Sequence, residues 1–256
     1  VGGIELGYGS DLDLVFLHGD ASPAGTTGGG RPIADDLFYV RLGQRMIHLF
    51  TARTGSGVLY EVDMRLRPSG NAGLLVSSLR AFESYQQNDA WTWEHQALLR
   101  ARPIAGDARV AGRFDAIRRA VLSRPRDPAT LRDEVREMRE KMRASLDRSG
   151  NGRFDVKQGR GGVADIEFMV QYSVLRWAHE YPDLLDWTDN VRQLATLARH
   201  RLLEGDAAER LADAYRAFRA VIHRNALQEL PALAPDEQLA DERAMVRDLW
   251  RTLMGG

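Results

Sequence analysis

Two aspartates stand near the start of the chain with one leucine between them. They are Asp11 and Asp13 in the stretch GSDLDLVF, and apolar residues follow at once. On a β-strand, residues i and i+2 point to the same face, so both carboxylates would project together while Leu12 and Leu14 pack beneath. At a separation of ~6–7 Å and an effective dielectric constant of about 20, their repulsion amounts to roughly 2–3 kcal/mol. Full solvation, a shared proton or a bound cation has to offset that cost.

A divalent cation is one explanation of this pair. Mg²⁺ prefers oxygen ligands and commonly binds through one or two carboxylates together with substrate phosphates. The D-x-D pattern is short and common, however, and a solvated strand end is the simpler explanation of the pair by itself.

A third aspartate favours the metal. Asp63 lies on the polar face of the alternating stretch GVLYEVDMRLRP, beside Arg65 and Arg67. Two strands joined by a helix can lie side by side, which would bring Asp63 to the aspartate pair. Three convergent carboxylates without a cation would be costly, whereas the alternative for Asp63 is a plain salt bridge to one of the two arginines.

The residues around these aspartates predict the elements that must position them. Residues 10–17 alternate and then become wholly apolar, which predicts a strand entering a core. The second stretch predicts a strand that ends at Pro68. Between them, residues 19–32 predict a loop rich in Gly, Pro and Thr. ADDLFYVRLGQRMIHLF then has helical spacing, and its shared face would comprise Leu37, Val40, Ile47 and Phe50.

Helical patterns dominate the remainder of the chain. SLRAFESYQQN and AWTWEHQALLRAR predict two helices, and SRPRDP, residues 123–128, is the best candidate linker. LRDEVREMREKMRASLDR predicts a helix whose apolar stripe comprises Leu131, Val135, Met138, Met142 and Leu146. One glycine-rich break, KQGRGGVADIEF, precedes a helix predicted to begin near Val163. The sequence therefore predicts a mixed α and β domain over residues 1–123 and a helical domain over residues 129–256.

Composition excludes several classes of protein. Of the 256 residues, 44% are hydrophobic and 28% charged, as in a globular domain with a real core. The net charge of −1 gives no indication of nucleic-acid or anionic-membrane binding. The absence of cysteine excludes disulfides and thiolate metal sites and fits a reducing cytoplasm. No apolar run approaches the ~20 residues of a membrane span. The start, VGG, is neither a signal peptide nor a start methionine, so we expect a part of a longer protein.

Four long stretches resemble one enzyme family. GGIELGYGSDLDLVFLH, GSGVLYEVDMRLRPSGNAGLLVSS and YQQNDAWTWEHQALLRAR closely resemble glutamine synthetase adenylyltransferases, large enzymes with two nucleotidyltransferase units of the polymerase-β type. FDVKQGRGGVADIEFMVQY resembles a helical segment that this family shares with uridylyltransferases of the nitrogen-sensing pathway. The resemblance extends through essentially the whole chain. It implies an α+β fold in which a polymerase-β-type nucleotidyltransferase domain, a mixed sheet with helices, is followed by an all-α helical bundle.

The resemblance also implies a reaction at the aspartates. One half of such an enzyme transfers AMP from ATP to a tyrosine of glutamine synthetase and releases pyrophosphate, and the other half removes AMP by phosphorolysis. Glu61 and Ser69 stand where the N-terminal half more often carries Arg and Phe, so the chain resembles the adenylylating C-terminal half. Carried over to this sequence, Asp11 and Asp13 would hold two Mg²⁺ ions. Asp63 would complete the site and act as the base for the phenol.

Five further residues are candidates for nucleotide or phosphate binding: Gly3, Ser10, Arg65, Arg67 and Lys157. Enzymes of this type usually have a strand and a phosphate-cradling turn before the aspartate pair, and Gly2 and Gly3 would be the tail of that turn. We therefore expect the first strand to be truncated and this chain to be weakly active or inactive by itself. Ser10 adjoins the aspartate pair and would contact phosphate, or would only satisfy its own turn.

For two of the basic candidates, an ordinary salt bridge is the alternative to ligand binding. Arg65 and Arg67 would bind the triphosphate or the protein substrate through charge-assisted hydrogen bonds, or would pair with Glu61 or Asp63. Lys157 precedes a helix whose N-terminus, with its glycines, is of the kind that attracts anions, and it would reach the triphosphate from the second domain.

The resemblance implies partners and leaves two alternatives open. The implied partners are glutamine synthetase as protein substrate and the PII signalling protein and glutamine as effectors, in the cytoplasm, without nucleic acid or membrane. The first alternative is the AMP-removing half, which would use the same carboxylates and would release ADP when supplied with phosphate. The second is a non-catalytic regulatory fragment that binds glutamine synthetase or PII, which the absence of Mg²⁺-dependent ATP binding would support.

Overall fold

The computed structural model describes residues 2–8, 10–20, 32–58, 60–203 and 205–255. These residues form two compact units. The first comprises residues 10–20, 32–58, 60–97 and 102–121, and the second comprises residues 2–8, 98–101, 122–203 and 205–255. The combination of helices with small sheets is compatible with the predicted α+β class. The division into domains at residues 123–128 stays a prediction, and most of the predicted loop 19–32 lies outside the described residues.

Short strands and longer helices alternate through the first unit. Its elements are β1 (Leu12–Asp13), β2 (Phe16–His18), α1 (Asp35–Thr51), β3 (Arg53–Thr54), β4 (Gly57–Val58), β5 (Val62–Asp63), a 3₁₀ turn (Gly70–Ala72), β6 (Val76–Ser78), α2 (Leu79–Asn88), α3 (Thr92–Leu99) and α4 (Ala108–Leu122), the last residues of α3 and α4 belonging to the second unit. The helices predicted before β3 and after β6 are therefore present.

Two parallel strand pairs organise this unit. β1 pairs with β5, with Leu12 opposite Val62 and Asp13 opposite Asp63. β2 pairs in parallel with β6, whereas β3 and β4 form an antiparallel hairpin. Parallel neighbours need a crossover connection, and α1 lies in the connection between β1 and β5.

A small apolar core lies beneath β1 and β5. Leu12, Leu14 and Met64 are buried, and side chains of α1 and the strands pack against them: Phe16, Ile47, Phe50, Val62 and Leu75. Helix α1 approaches closely because residue 43 is glycine. A Cβ there would lie 2.9 Å from Cγ2 of Val76, closer than such atoms can pack. Leu37, predicted on the inner face of α1, is instead 43% exposed.

The second predicted strand is much shorter than its alternation indicates. Only Val62–Asp63 pairs with β1, and the chain turns immediately after Met64. The backbone N–H of Arg67 donates to the carbonyl of Met64 (3.3 Å), and its guanidinium Nη1 donates to the same oxygen (2.8 Å). These bonds satisfy backbone groups inside a turn, so the strand does not continue to Pro68.

The second unit is mainly helical. Its elements are α5 (Pro128–Leu146), β7 (Arg153–Asp155), α6 (Val163–Trp177), a 3₁₀ turn (Pro182–Leu185), α7 (Asn190–Arg199), α8 (Gly205–Leu227), β8 (Leu233–Pro235) and α9 (Ala240–Met254). α6 contacts α5, α7, α8 and α9 and is buried along nearly its whole length. The antiparallel β7–β8 pair was not predicted from the sequence. None of the helices in the described ranges is long and apolar enough to cross a membrane.

Local capping explains where several helices begin. The Ser78 side chain accepts from the N–H of Ala81 at the start of α2. Asp127 accepts from the N–H of Thr130 at the start of α5, with Pro128 in the first turn. Such caps satisfy N–H groups that have no partner within the helix, and they are visible in the sequence.

The buried stripe of α5 differs from the predicted one. Leu131 and Val135 are buried as expected, but Leu146 is 47% exposed. The stripe continues one turn at a time through Arg139 and Arg143, which are 0% and 6% exposed. Arg139 and Arg143 therefore form the buried part of the helix face that the sequence pattern assigned to Met138, Met142 and Leu146.

A single buried carboxylate accounts for both arginines. Asp165, at the start of α6, accepts from Arg139 Nε and from Arg143 Nη2, each at 2.7 Å. Its other oxygen accepts from the backbone N–H of Gly161 at 2.7 Å. Gly161 has a φ of +83°, and a Cβ there would lie 2.5 Å from the carbonyl oxygen of Arg243. The glycine-rich break is thus a tightly packed turn that Asp165 fastens to α5.

We expect the substitution Asp165→Asn to destabilise the second unit by about 3 kcal/mol, because a buried guanidinium would lose its counter-charge. Urea unfolding followed by far-UV circular dichroism measures this effect. The control is Glu137→Gln, which removes one partner of the exposed Glu137–Lys141 pair and should barely move the unfolding midpoint. A midpoint for Asp165→Asn equal to that of the wild type would contradict a stabilising role for the buried pair.

Candidate functional site

Two of the three predicted catalytic aspartates, Asp13 and Asp63, lie on paired strands, and the third, Asp11, immediately precedes β1. Asp13 is the Cα partner of Asp63 in the β1–β5 register, and Asp11 lies two residues before Asp13. Backbone hydrogen bonds from Leu12 N to the Glu61 carbonyl (2.8 Å) and from Leu14 N to the Asp63 carbonyl (2.9 Å) set this register. Because Leu12 and Leu14 are buried, Asp11 and Asp13 face outward and are exposed, although the surroundings partly desolvate the carboxyl group of Asp13.

Burial and neighbouring carboxylates both perturb the pKa of Asp13. Burial raises the pKa of its carboxyl group above the ordinary 3.8, and the neighbouring carboxylates of Asp63 and Asp11 raise it further. The guanidinium of Arg65 acts in the opposite direction but does not cancel these effects. A cation at this position would relieve the repulsion that Asp13 experiences.

Asp63 is held by its neighbour Arg65. Its Oδ1 accepts from the backbone N–H of Arg65 (2.8 Å), and its Oδ2 accepts from Nε (2.7 Å) and also from Nη2. This pairing lowers the pKa of the Asp63 carboxyl. The salt bridge considered as the alternative explanation of Asp63 is therefore present, and the Arg65 side chain remains 74% exposed.

Arg67 and Ser10, the other two predicted phosphate-binding residues of this unit, have different surroundings. The guanidinium of Arg67 donates to the backbone carbonyls of Met64 (2.8 Å), Gly73 (3.3 Å) and Asn71 (3.4 Å). These bonds give Arg67 a role in shaping the turn after β5. Ser10 is exposed beside the aspartate pair.

Gly3 lies within the second unit and is buried. A Cβ at this position would lie 2.9 Å from Nη2 of Arg100 and 3.2 Å from the Thr188 carbonyl oxygen. The hydroxyl of Thr188 donates to the carbonyl of Gly2 at 2.7 Å. Close packing within this unit therefore explains why residue 3 is glycine, and its predicted phosphate contact stays a prediction.

Lys157 lies in the second unit as well, with an exposed side chain. The helix start behind it is not an open anion site. The N–H of Val163 donates to the Val156 carbonyl (3.0 Å), and the N–H of Ala164 donates to the Lys157 carbonyl (3.1 Å). Since these N–H groups already have partners, any phosphate contact would rest on the Lys157 ammonium itself.

The sequence reasoning missed a polar network around Glu5. The Glu5 carboxylate accepts from Arg100 Nη2 (2.7 Å) and from the Asn190 side chain (2.9 Å). Arg100 also donates to Glu167 (2.8 Å), which accepts from the Tyr215 hydroxyl (3.2 Å). All five residues belong to the second unit. These contacts were not predicted from the sequence, because the partners lie up to 185 positions apart.

The pKa values of three members of this network are raised, for different reasons. Burial raises the pKa of Glu5, although Arg100 opposes the shift. Burial works against the charge of Arg100, yet Glu167, Tyr215 and Glu5 raise its pKa above the ordinary value. Burial also raises the pKa of the Tyr215 hydroxyl. The network therefore keeps Arg100 charged inside a largely apolar unit.

The donor set at β1 and β5 suits a hard divalent cation in its chemistry. Three carboxylates on adjacent strands are the ligands that Mg²⁺ prefers, and the raised pKa of Asp13 is a cost that a cation would offset. In the described parts of the chain, no three acidic or histidine side chains are already grouped closely enough to hold a metal. Asp63 faces Arg65 instead, so a cation would share Asp63 with that guanidinium.

Comparison with known families divides the chain into two stretches. Residues 1–117 match the family "Glutamate-ammonia ligase adenylyltransferase", and residues 131–253 match the family "GlnD PII-uridylyltransferase". The first match includes all three aspartates, and the second includes Lys157 and Asp165.

Curated relatives are similar over almost the whole chain. A bifunctional glutamine synthetase adenylyltransferase/adenylyl-removing enzyme of Nitrosococcus oceani is 56% identical over 99% of this chain. A protein of the same name from Hahella chejuensis is 54% identical over 98% of this chain. This chain spans 26% of the length of each relative.

We expect Asp13→Asn to stabilise the metal-free protein at pH 7. The folded-state pKa of Asp13 lies above its ordinary value of 3.8, so ionisation disfavours the folded state and stability falls as pH rises through that interval. The gain should be present at pH 7 and should shrink at about pH 3, where the aspartate is protonated in both states. Urea unfolding at the two pH values measures it.

Asp115→Asn is the matched control, because Asp115 is an exposed aspartate on α4 of the same unit. It should show no such gain. A lower stability of Asp13→Asn than of the wild type at pH 7 would refute the charge-crowding explanation.

Proposed function

We propose, because this chain belongs to the glutamine synthetase adenylyltransferase family, that it contributes nucleotidyl transfer: movement of AMP from ATP to a tyrosine of glutamine synthetase, with release of pyrophosphate. The observation that carries the proposal is the β1–β5 register, which sets Asp63 beside Asp13 with Asp11 two residues away. This arrangement, with its raised Asp13 pKa, is explained better by cation and phosphate binding than by stability.

Asp11, Asp13 and Asp63 would hold the metal. Mg²⁺, bound as two ions, would neutralise charge on the transferring phosphate and on the incoming and leaving oxygens. The carboxylates orient the phosphate for in-line displacement. The Arg65 contact lowers the pKa of Asp63, so the structure favours a ligand role for this residue over the role of base proposed from the sequence.

The basic candidate residues make different contacts, and we assign them different roles. Arg65 keeps most of its guanidinium exposed beside Asp63 and would bind the triphosphate through charge-assisted hydrogen bonds. Arg67 would act indirectly by holding the turn after β5. Phosphate contacts from Gly3, Ser10 and Lys157 remain part of the proposal on the family resemblance alone. The same is true of PII and glutamine as effectors and of a cytoplasmic location.

A second candidate is the reverse activity. The names of both relatives include an adenylyl-removing function as well as the adenylyltransferase function. The carboxylates of β1 and β5 would serve phosphorolysis equally well, because it passes through the same in-line geometry at the phosphorus. The choice of the adenylylating half rests on Glu61 and Ser69.

The test is intact-mass spectrometry of unmodified glutamine synthetase after incubation with this chain, Mg²⁺ and ATP. We expect a mass gain of one AMP that is slow or absent with this chain alone and faster with a chain extended upstream. In the active chain, Asp11→Asn and Asp63→Asn should each lower the rate of this gain by roughly a hundredfold or more, since each removes a carboxylate that holds the metal. Asp115→Asn should retain the wild-type rate.

Because this chain spans 26% of each relative, a chain extended upstream is assayed beside it. If only the extended chain adds AMP to glutamine synthetase, the activity belongs to the longer protein. If neither chain modifies the substrate, adenylylated glutamine synthetase and phosphate are supplied, and release of ADP would establish the reverse reaction instead. Failure of both assays would leave a role in binding only.

A further inference from the structure

A cleft of about 420 Å³ lies within the second unit, between the segment 2–8 and the helices α7 and α8. Its lining brings together the guanidinium side chains of Arg192, Arg216 and Arg219 with the rings of Tyr215 and His223. None of these residues belongs to the aspartate site of the first unit. The proposed nucleotidyl transfer therefore leaves this cleft without a role.

The negative charges of the lining already have partners. The Glu5 carboxylate accepts from Arg100 and from Asn190. Asp189 caps α7 by accepting from the N–H of Arg192 (2.9 Å), and it also pairs with the Arg192 side chain. These carboxylates are therefore neutralised within the wall and do not repel an entering anion strongly.

The guanidiniums, by contrast, retain donors. Arg216 uses Nη1 on Asp213 (2.6 Å), and its side chain is 57% exposed. Arg219 uses Nη2 on the Glu5 backbone carbonyl (2.9 Å) and lies 3.1 Å from Nε2 of His223. An arginine carries five N–H donors in a planar fork. Among the described residues, the partners of Arg216 and Arg219 use only some of these donors, so each guanidinium has N–H groups left for a ligand.

Apolar side chains and one imidazole favour a ligand with an organic portion. Ile4, Val191 and Ala220 line the cleft together with the His223 ring, whereas the Tyr215 side chain is buried behind Arg219, which lies 5.5 Å from its ring. Burial lowers the pKa of His223, and Arg219 lowers it further, so this imidazole is neutral at pH 7. The cleft thus combines cationic donors with a largely uncharged wall.

We propose that this cleft binds a small organic phosphate of about mononucleotide size, with Arg216 and Arg219 holding the phosphate and with Ile4, Val191 and the His223 ring contacting the organic part. A guanidinium binds carboxylate and phosphate oxygens alike in bidentate fashion, but two guanidiniums together match the three terminal oxygens and double charge of a phosphate better than a single carboxylate. A cavity of this volume is also larger than inorganic phosphate requires and lies in the range of small-molecule sites. The proposal does not depend on the activity proposed above.

Isothermal titration of the whole chain without divalent cation tests the proposal. The probes are AMP, ribose 5-phosphate, inorganic phosphate, adenosine and succinate. We expect saturable binding of AMP and ribose 5-phosphate, weaker binding of inorganic phosphate, and none of adenosine or succinate. The Cε1–H and Cδ2–H nuclear resonance signals of His223 should shift with the same saturation curve, because the ligand charge lies beside Arg219, whose Nη2 donates to Nε2 of His223.

Variants decide which residues hold the phosphate. Arg216→Gln and Arg219→Gln should each weaken the binding of ribose 5-phosphate roughly tenfold, the loss of about one charge-assisted contact. Arg216 has an exposed side chain, so its variant is informative even if loss of the Glu5 contact unfolds Arg219→Gln. Arg210→Gln, on the same helix and paired with Asp206 outside the cleft, is the control and should bind as the wild type.

Three results would overturn the proposal. The first is the absence of saturable binding of any phosphate probe to the wild type, and the second is unchanged affinity in Arg216→Gln. The third is succinate or inorganic phosphate binding as tightly as ribose 5-phosphate, which would remove the organic phosphate as the ligand class. The absence of divalent cation separates the two sites, because three carboxylates without a metal repel a phosphate and so cannot hold it.

Discussion

The register between β1 and β5 is the constraint on which the candidate site depends. Side chains alternate along a strand, so a slip of one residue would turn Asp13 into the core and Leu12 or Leu14 to solvent. The burial of Leu12, Leu14 and Met64 makes that slip costly. The apolar core therefore determines the position of the carboxylates, although it contains none of them.

Arginine–carboxylate pairing neutralises buried charge at two places in the second unit. Asp165 joins Arg139 and Arg143 inside the second unit, where unpaired charge would be costly. Arg100 joins Glu5 and Glu167 within the same unit. Both networks satisfy nearly all their charge internally and need no further ligand to be stable.

The aspartate site is different, because its charge is only partly compensated. Arg65 pairs with Asp63, but the pKa of Asp13 remains raised by burial and by its two acidic neighbours. A folded protein usually avoids such crowding, and an exception is expected where binding or chemistry requires it. The uncompensated charge at Asp13 therefore supports a metal and phosphate site. Arg65 would have to change its contact with Asp63 when such a site is filled.

The sequence by itself determined the elements with strong local signals. The helix over Asp35–Thr51 and the start of α6 at Val163 follow from periodicity and from a glycine-rich break, which depend only on near neighbours. The pairing of the D-x-D strand with the strand of Asp63 was also foreseeable, because α1 supplies the crossover that parallel strands need. The family resemblance rests on the same local strings.

Only the tertiary structure decided which polar side chains meet. Arg139 and Asp165 are 26 positions apart, and Arg100 and Glu5 are 95 apart, so no periodicity links them. An arginine on the inner face of a helix interrupts the apolar stripe, and its buried partner is not visible in the pattern. Arg67 likewise continues an alternating strand in the sequence but binds backbone carbonyls in a turn. Hydrogen bonding of specific polar groups, rather than hydrophobic patterning, determined these contacts.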